Sequence, residues 1–224
     1  MNNKAKKIPI YELESLKKGT FLVRHNRFAG EIKYDNVIES AHIHDPGRLE
    51  ELLNPGVDVL FTDSRGKLTY YIKAVKKEGE WILLDSALHS KIARCLFPLI
   101  PQLSIKKEIK SEVKLGESRI DFTLDGVPLE VKGVSLVKDD TALFPDAPTK
   151  RGTRHVKEII KHDGIILFLV FRKAERFAPN FKMDPKFANA LKKARKQGIL
   201  IIPTQLSFDG KTVFFEEILP LGEF

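Results

Sequence analysis

Four side chains near the middle of the chain are spaced for phosphoryl chemistry. Asp121, Glu130 and Lys132 stand in a D-x8-E-x-K pattern, with Glu112 ahead of them. Asp125-Gly126 between the two acids is a strong hairpin signal, because a type I′ turn needs two residues that tolerate positive φ. With that turn Leu124 faces Val127, Phe122 faces Leu129 and Ile120 faces Val131, all on one apolar face. Asp121 then falls opposite Glu130 on the other face, and Lys132 lies two residues on, on the same side. A second turn at Gly116-Glu117, of type II′, sets Leu115 against Ser118 and Glu112 opposite Asp121. Three carboxylates aligned in this way repel one another across neighbouring strands. A hard divalent cation, Mg²⁺ or Mn²⁺, held by Glu112, Asp121 and Glu130, removes the conflict. The chemistry that needs this set is phosphodiester hydrolysis, with Asp121, Glu130 and Lys132 as its catalytic residues. Lys132 would orient or deprotonate the attacking water, or neutralise charge developing on the phosphate. The plain alternative is a solvated hairpin face on which Lys132 bridges the acids, and the bare pattern is short. The register favours the metal site, because it sorts every apolar residue to the opposite side.

A phosphodiester substrate also needs cations away from the metal. The chain has 38 Lys+Arg against 30 Asp+Glu, a net charge of +8, and the excess is uneven. Residues 1–84 hold 14 basic and 12 acidic side chains, while residues 85–224 hold 24 and 18. Lys150–Lys161 alone carries five bases against the single acid Glu158. Such an excess favours polyanions by counterion release, although a lysine-rich solvated surface has the same composition. Arg151 and His155, four apart, share a helical face beside Arg154, which suits a phosphate clamp next to the metal site, with His155 as a phosphate ligand or as a partner behind the metal ligands. Asp146 lies just ahead of that helix, as a loop cap or part of the site. Arg24 and Arg27, in the first strand region, are placed to meet nucleic acid. His42, His44 and Asp45 invite a zinc reading, but no further ligand is evident and Asp45 suits a helix cap.

The elements that must position these residues come in two textures. Phe21–Phe28, Glu31–Ile43, Val57–Thr62, Leu68–Lys76 and Glu80–Leu84 are short β-rich runs separated by turn chemistry. One helix is expected among them, capped by Asp45, started by Pro46 and striped by Leu49, Leu52 and Leu53. Five strands with one inserted helix suit a small Greek-key barrel of the OB kind. From Asp85 the order becomes mixed α/β. A helix over Ser86–Phe97 ends at Pro98 and Pro101, and strands follow over Ile105–Leu115, Ser118–Leu124 and Val127–Lys132. A basic helix is expected at about Arg151–His162, then a buried strand Ile165–Phe171, a helix Pro185–Gln197 and a buried strand Ile199–Ile202. This predicts two domains, 1–84 and 85–224.

At this point the residues resemble the sugar fermentation stimulation protein family. The segments are AHIHDPGRLEELL (41–53), KSEVKLG (110–116), SRIDF (118–122), LEVKG (129–133) and FPDAPTKRGTRH (144–155). The resemblance runs from about Phe21 to Pro220. It implies an N-terminal OB-type domain joined to a C-terminal domain of the PD-(D/E)XK restriction-endonuclease-like fold. It also implies DNA binding and a link to the regulation of sugar (maltose) metabolism. Asp121, Glu130 and Lys132 fall on the nuclease-fold signature, and Glu112 on the acid of the preceding motif. Gly133 departs from the family, where many relatives have serine.

The remaining features bound the answer. The longest apolar run, Ile165–Phe171, is too short to span a bilayer, and Met1–Lys7 has no apolar stretch behind it, so a cytoplasmic protein without membrane association is expected. Cys95, the only cysteine, excludes an internal disulfide. A sugar-binding effector is poorly served by one Trp and four Tyr. The expectation is a DNA-binding protein, duplex favoured, with a Mg²⁺-dependent nuclease site. A non-cleaving DNA-binding regulator is the alternative. Reading a palindromic site would call for a homodimer.

Overall fold

A computed structural model describes residues 7–224. The arm Met1–Lys6 lies outside the described residues. Strands β1 (Ile8–Glu12), β2 (Lys17–Asn26), β3 (Ala29–Tyr34), β4 (Val37–Ile43), β5 (Asp58–Asp63), β6 (Tyr70–Lys77) and β7 (Glu80–Leu83) make up the first third. The expected run Glu31–Ile43 is two strands, because Asp35 and Asn36 both take positive φ (49° and 64°) and turn the chain. Strands β2 to β6 hydrogen-bond in the order β4-β3-β2-β5-β6, and β4 returns to pair β6 in parallel. That last pairing closes a five-stranded OB-like barrel. Its interior is filled by alternate apolar residues, among them Phe21, Ile32, Ile43, Val59, Phe61 and Ile72, all essentially inaccessible to water.

The helix expected from Asp45 does not form. Residues 45–53 are a loop in which Asp45 Oδ1 accepts from the Gly47 N–H at 2.7 Å and Leu49 takes φ 54°. Leu52 and Leu53 both donate to the Leu49 carbonyl, so only a single turn survives. The physical reason is Arg24. Its guanidinium donates to the carbonyls of Asp45, Gly47 and Arg48, which a helix would need as its own acceptors. The apolar stripe is nonetheless used, since Leu49, Leu52 and Leu53 are buried against the barrel.

The second unit contains α1 (His89–Leu96), α2 (Pro101–Ser104), β8 (Ile109–Leu115), β9 (Ser118–Leu124), β10 (Val127–Val134), β11 (Val137–Lys138), β12 (Thr141–Phe144), α3 (Lys150–Lys161), β13 (Ile165–Val170), β14 (Arg176–Pro179), α4 (Pro185–Lys196), β15 (Leu200–Phe208) and β16 (Thr212–Ile218). Pro101 opens α2 rather than only ending the helix before it. Strands β10, β13 and β15 are parallel, flanked by the meander of β8 and β9 on one side and antiparallel β16 on the other. Both faces of this sheet are covered, which explains the unbroken apolar run of β13. Ile165, Leu167 and Leu169 join the cluster that includes Ile92 and Leu96 of α1. Ile166, Phe168 and Val170 join the one built with Val156 of α3 and Leu191 of α4.

The two units are stitched twice. Trp81 of β7 pairs with Phe208 of β15, making one continuous sheet. Strand β1, which was not expected, leaves the barrel and pairs with β16. Among the described residues no helix is long and apolar enough to cross a membrane.

Candidate functional site

The hairpin of β9 and β10 forms around Asp125 (φ 50°) and Gly126 (φ 81°), with Leu124 opposite Val127 and Phe122 opposite Leu129. The ladder then opens. Asp121 Oδ2 accepts the Val131 N–H at 2.7 Å, taking a bond that a continued ladder would have made with backbone. Strand β10 turns to β13 instead, pairing Glu130 with Ile166 and Lys132 with Phe168. Ile120, expected on the same apolar face as Phe122, therefore packs in the other cluster with Val156 and Ile159. On the outer side the β8–β9 turn holds the expected register, Leu115 opposite Ser118 and Val113 opposite Ile120.

The opening leaves Glu130 at the centre of the site, only 2% exposed. Its Oε1 accepts from Lys132 Nζ and from His155 Nδ1. Arg151 Nε, which can only donate, lies 3.4 Å from His155 Nε2. That contact makes Nε2 the acceptor and puts the imidazole proton on Nδ1, toward Glu130. The other Glu130 oxygen, Oε2, is buried without a hydrogen-bond partner among the described residues. Burial works against ionisation of Glu130, but Lys132 and His155 outweigh it and its carboxyl lies below the usual value. Asp121 moves the opposite way. Burial, with the Glu130 charge adding to it, pushes its carboxyl up to about 6.

Glu112 keeps its place opposite Asp121, between the pairs Ser111–Phe122 and Val113–Ile120, and its charge adds to the rise of the Asp121 carboxyl, but it stays on the rim of the group. It sits at φ 55°, unpaired in the ladder and exposed, and its Oε2 lies 3.7 Å from Arg119. The three-carboxylate row is thus two carboxylates with the third on the rim. Among the described residues no three His, Cys, Asp or Glu side chains converge as a closed metal cage. The residues present do fit a hydrated hard cation, which needs few protein oxygens and keeps several waters. An orphaned buried carboxylate oxygen beside a second carboxylate of raised pKa is the mark of that fit.

Helix α3 presents the basic side chains. Thr149 caps it by accepting the Gly152 N–H at 3.0 Å, and His155 is buried on its inner face. Arg151, one turn before His155 on the same side, and Arg154 stay exposed. Arg24 is half-buried and committed to the loop carbonyls and to that of Arg27, whereas Arg27 itself is exposed. Asp146 belongs to the junction between the units. Its Oδ2 accepts the Arg48 N–H at 3.1 Å, and burial raises its carboxyl. A Cβ on Gly47 would fall 2.2 Å from that same oxygen, so the barrel loop and the Asp146 loop touch closely enough to require glycine.

Several residues at this junction escaped the sequence reading. Asp85, 1% exposed, accepts from Tyr71 Oη at 2.5 Å and from Lys73 Nζ at 2.6 Å. His89 of α1 packs on Gly133, where a Cβ would fall 2.1 Å from its Cε1. Burial pushes the His89 imidazole down to about 4, so it stands neutral beside Lys132. The missing signal for both is tertiary, since neither lies in a spacing that implies a partner. His42 and His44 are close, with Nε2 and Nδ1 3.0 Å apart. Asp45 is held by Gly47, leaving the zinc reading without a third ligand among the described residues.

Comparison with known proteins accords with the two-unit architecture. A model of the SfsA N-terminal OB domain matches residues 22–84, and a model of the sugar fermentation stimulation protein RE domain matches residues 87–212. The sugar fermentation stimulation protein homolog of Methanothermobacter thermautotrophicus is 38% identical over 212 residues, 88% of each chain. That of Sulfolobus acidocaldarius is 43% identical over 185 residues, 79% of each chain. A solved structure, that of Pyrococcus furiosus SfsA in complex with Ca²⁺, matches with a TM-score of 0.88 at 30% identity, over 96% of this chain and 100% of the other.

Proposed function

The chain belongs to the sugar fermentation stimulation protein family, with an OB domain followed by a restriction-endonuclease-like domain, and from that premise we propose that it binds DNA and hydrolyses phosphodiester bonds with Mg²⁺. The observation that carries the reading is Glu130, buried with one oxygen unpartnered beside the raised carboxyl of Asp121. Asp121 and Glu130 would hold the cation, and the Pyrococcus relative in complex with Ca²⁺ supports a divalent ion of this hard class. A bound divalent cation supplies Lewis-acid polarisation of the phosphoryl oxygen and an acidified water. The chain's own side chains do the rest. Lys132, held at the edge by Glu130, offers a positive charge to the phosphate as it gains charge. His155 fixes one Glu130 oxygen, which leaves the other for the cation. Arg151 holds His155 in the required tautomer and, with Arg154, presents exposed charge to a DNA backbone.

The rim position of Glu112 favours a second reading, a DNA-binding regulator of sugar metabolism that holds a metal without turnover. One experiment separates the two. The pure protein is incubated with end-labelled duplex DNA in Mg²⁺, Mn²⁺ or EDTA, with Asp121→Asn alongside. The nuclease reading expects metal-dependent cleavage that the variant loses by more than the about 10–100-fold typical of removing an outer partner of a metal ligand. It expects gel-shift binding in EDTA to survive. Binding without cleavage under any condition would leave the regulator.

A further inference from the structure

A cavity of about 620 Å³ opens on the OB barrel, lined by none of the residues of the Glu130 centre. That is within the range of about 300–1,000 Å³ usual for ligand pockets. Its floor is aromatic. The ring centroids of His42, His44 and Tyr71 lie 5.1–5.9 Å from one another. The floor is also electrically quiet. Lys73 sits over the Tyr71 ring at 3.4 Å, and its charge is matched by the buried carboxylate of Asp85. Burial, together with the neighbouring His44, lowers the His42 imidazole, which keeps it neutral. The mouth is different. Arg65 and Lys67, on the loop between β5 and β6, are exposed, and among the described residues neither has a carboxylate partner. Asp63, the one acid in the lining, is already paired to Lys17 at 2.7 Å.

An aromatic floor whose one lysine is already paired, under a cationic lip, is the complement of a nucleotide, which joins a flat neutral base to an anionic phosphate. A simple anion would not need the rings, and a duplex keeps its base faces inside the stack, where the rings cannot reach them. We infer that this cleft is a subsite for unpaired nucleotides, the base lying against His44 and Tyr71 and the phosphates against Arg65 and Lys67. The inference rests on the phosphodiester reading of the neighbouring centre and gives it a strand preference. The two places are linked through the junction. Ser86 donates to the His44 carbonyl from both N–H and Oγ, and His89, in the adjoining helix, lies within the fields of both His44 and Lys132.

The test is fluorescence anisotropy with the full chain in EDTA, so that cleavage plays no part. The probes are labelled oligo-dT and oligo-rU of about ten nucleotides, the scale of one OB site, and a blunt duplex. His44→Ala and the double variant Arg65→Ala/Lys67→Ala are each expected to weaken single-strand binding about tenfold or more, as loss of a stacking platform does, with duplex binding changed less than about twofold. His44→Phe should restore binding, because it keeps a ring and loses only hydrogen bonds. That rescue separates stacking from a folding defect. Binding of either single strand in this pattern supports the inference, and a difference between the DNA and RNA arms names the polymer. Single-strand binding insensitive to both changes, or an equal loss on duplex, overturns it. The nuclease reading fails separately, by absence of metal-dependent cleavage in the wild type, and that result would leave the EDTA binding data standing.

Discussion

Glu130 is the side chain on which the site turns, and its protonation is set by two neighbours. Lys132 and His155 both donate to Oε1, and together they hold the carboxyl down against its burial. Removing His155 takes away one donor to the charged form, so His155→Ala should raise the Glu130 pKa. The acid limb of a pH–rate profile for metal-dependent cleavage should then move to higher pH, with the alkaline limb in place. A profile that only drops in height would assign His155 to packing alone. The Asp121, Glu130 and Lys132 pattern was legible in the sequence from the turn at Asp125-Gly126, whose register holds as far as Phe122 and Leu129, but the opening of the ladder beyond that pair was not. Nor was the rim position of Glu112, since it depends on one positive φ in β8. The sequence reading of His155 leaves two roles open, a phosphate ligand or a partner behind the metal ligands, and its contact with Glu130 matches the second. Its burial behind Glu130 follows from how α3 packs on the sheet, which spacing along the helix does not specify.

At the scale of elements, the loop 45–53 shows how one side chain decides between two local structures. Its sequence has a cap, a proline at the first position and an apolar stripe, all consistent with a helix. Arg24 takes three of the carbonyls that the helix would have used. Arg24→Ala should therefore destabilise the protein by at least about 1.5–3 kcal/mol, the value of one hydrogen bond to a charged group. Thermal melting checks this directly. Arg27→Ala, on an exposed side chain, should leave the melting temperature unchanged while weakening DNA binding and flattening its salt dependence. Equal effects of the two changes on stability would contradict the assignment. The barrel strands and both long helices were readable from periodicity and caps. Strand β1 was not, because Ile8–Glu12 is short and only half apolar, and becomes a strand by pairing with a partner some two hundred residues away.

Over the whole molecule, buried carboxyls at two places give the fold a particular pH response. Burial raises Asp121 to about 6 and Asp45 to about 7 from values near 3.8. A raised carboxyl binds its proton more tightly in the folded state. Its contribution is complete below the unfolded pKa and is lost as pH rises through the folded one. Glu130, shifted down, acts only at lower pH. His89, lowered to about 4, works the other way below 6.5, but the two carboxyls together outweigh it, so the metal-free protein should melt at a higher temperature at pH 5 than at pH 8. Mg²⁺ should raise the melting temperature more at pH 8, where it no longer competes with a proton on Asp121, and Asp121→Asn should remove that difference. A flat profile between these pH values would show the carboxyls are better solvated than their burial implies. The pairing of β1 with β16 has a consequence for how the molecule is made. The barrel can close as soon as β6 leaves the ribosome, whereas β1, synthesised first, must wait for the last strand of the sheet. The β1–β16 pair forms only after both strands exist, so a nascent product can contain the barrel strands while the clasp across both units is still open.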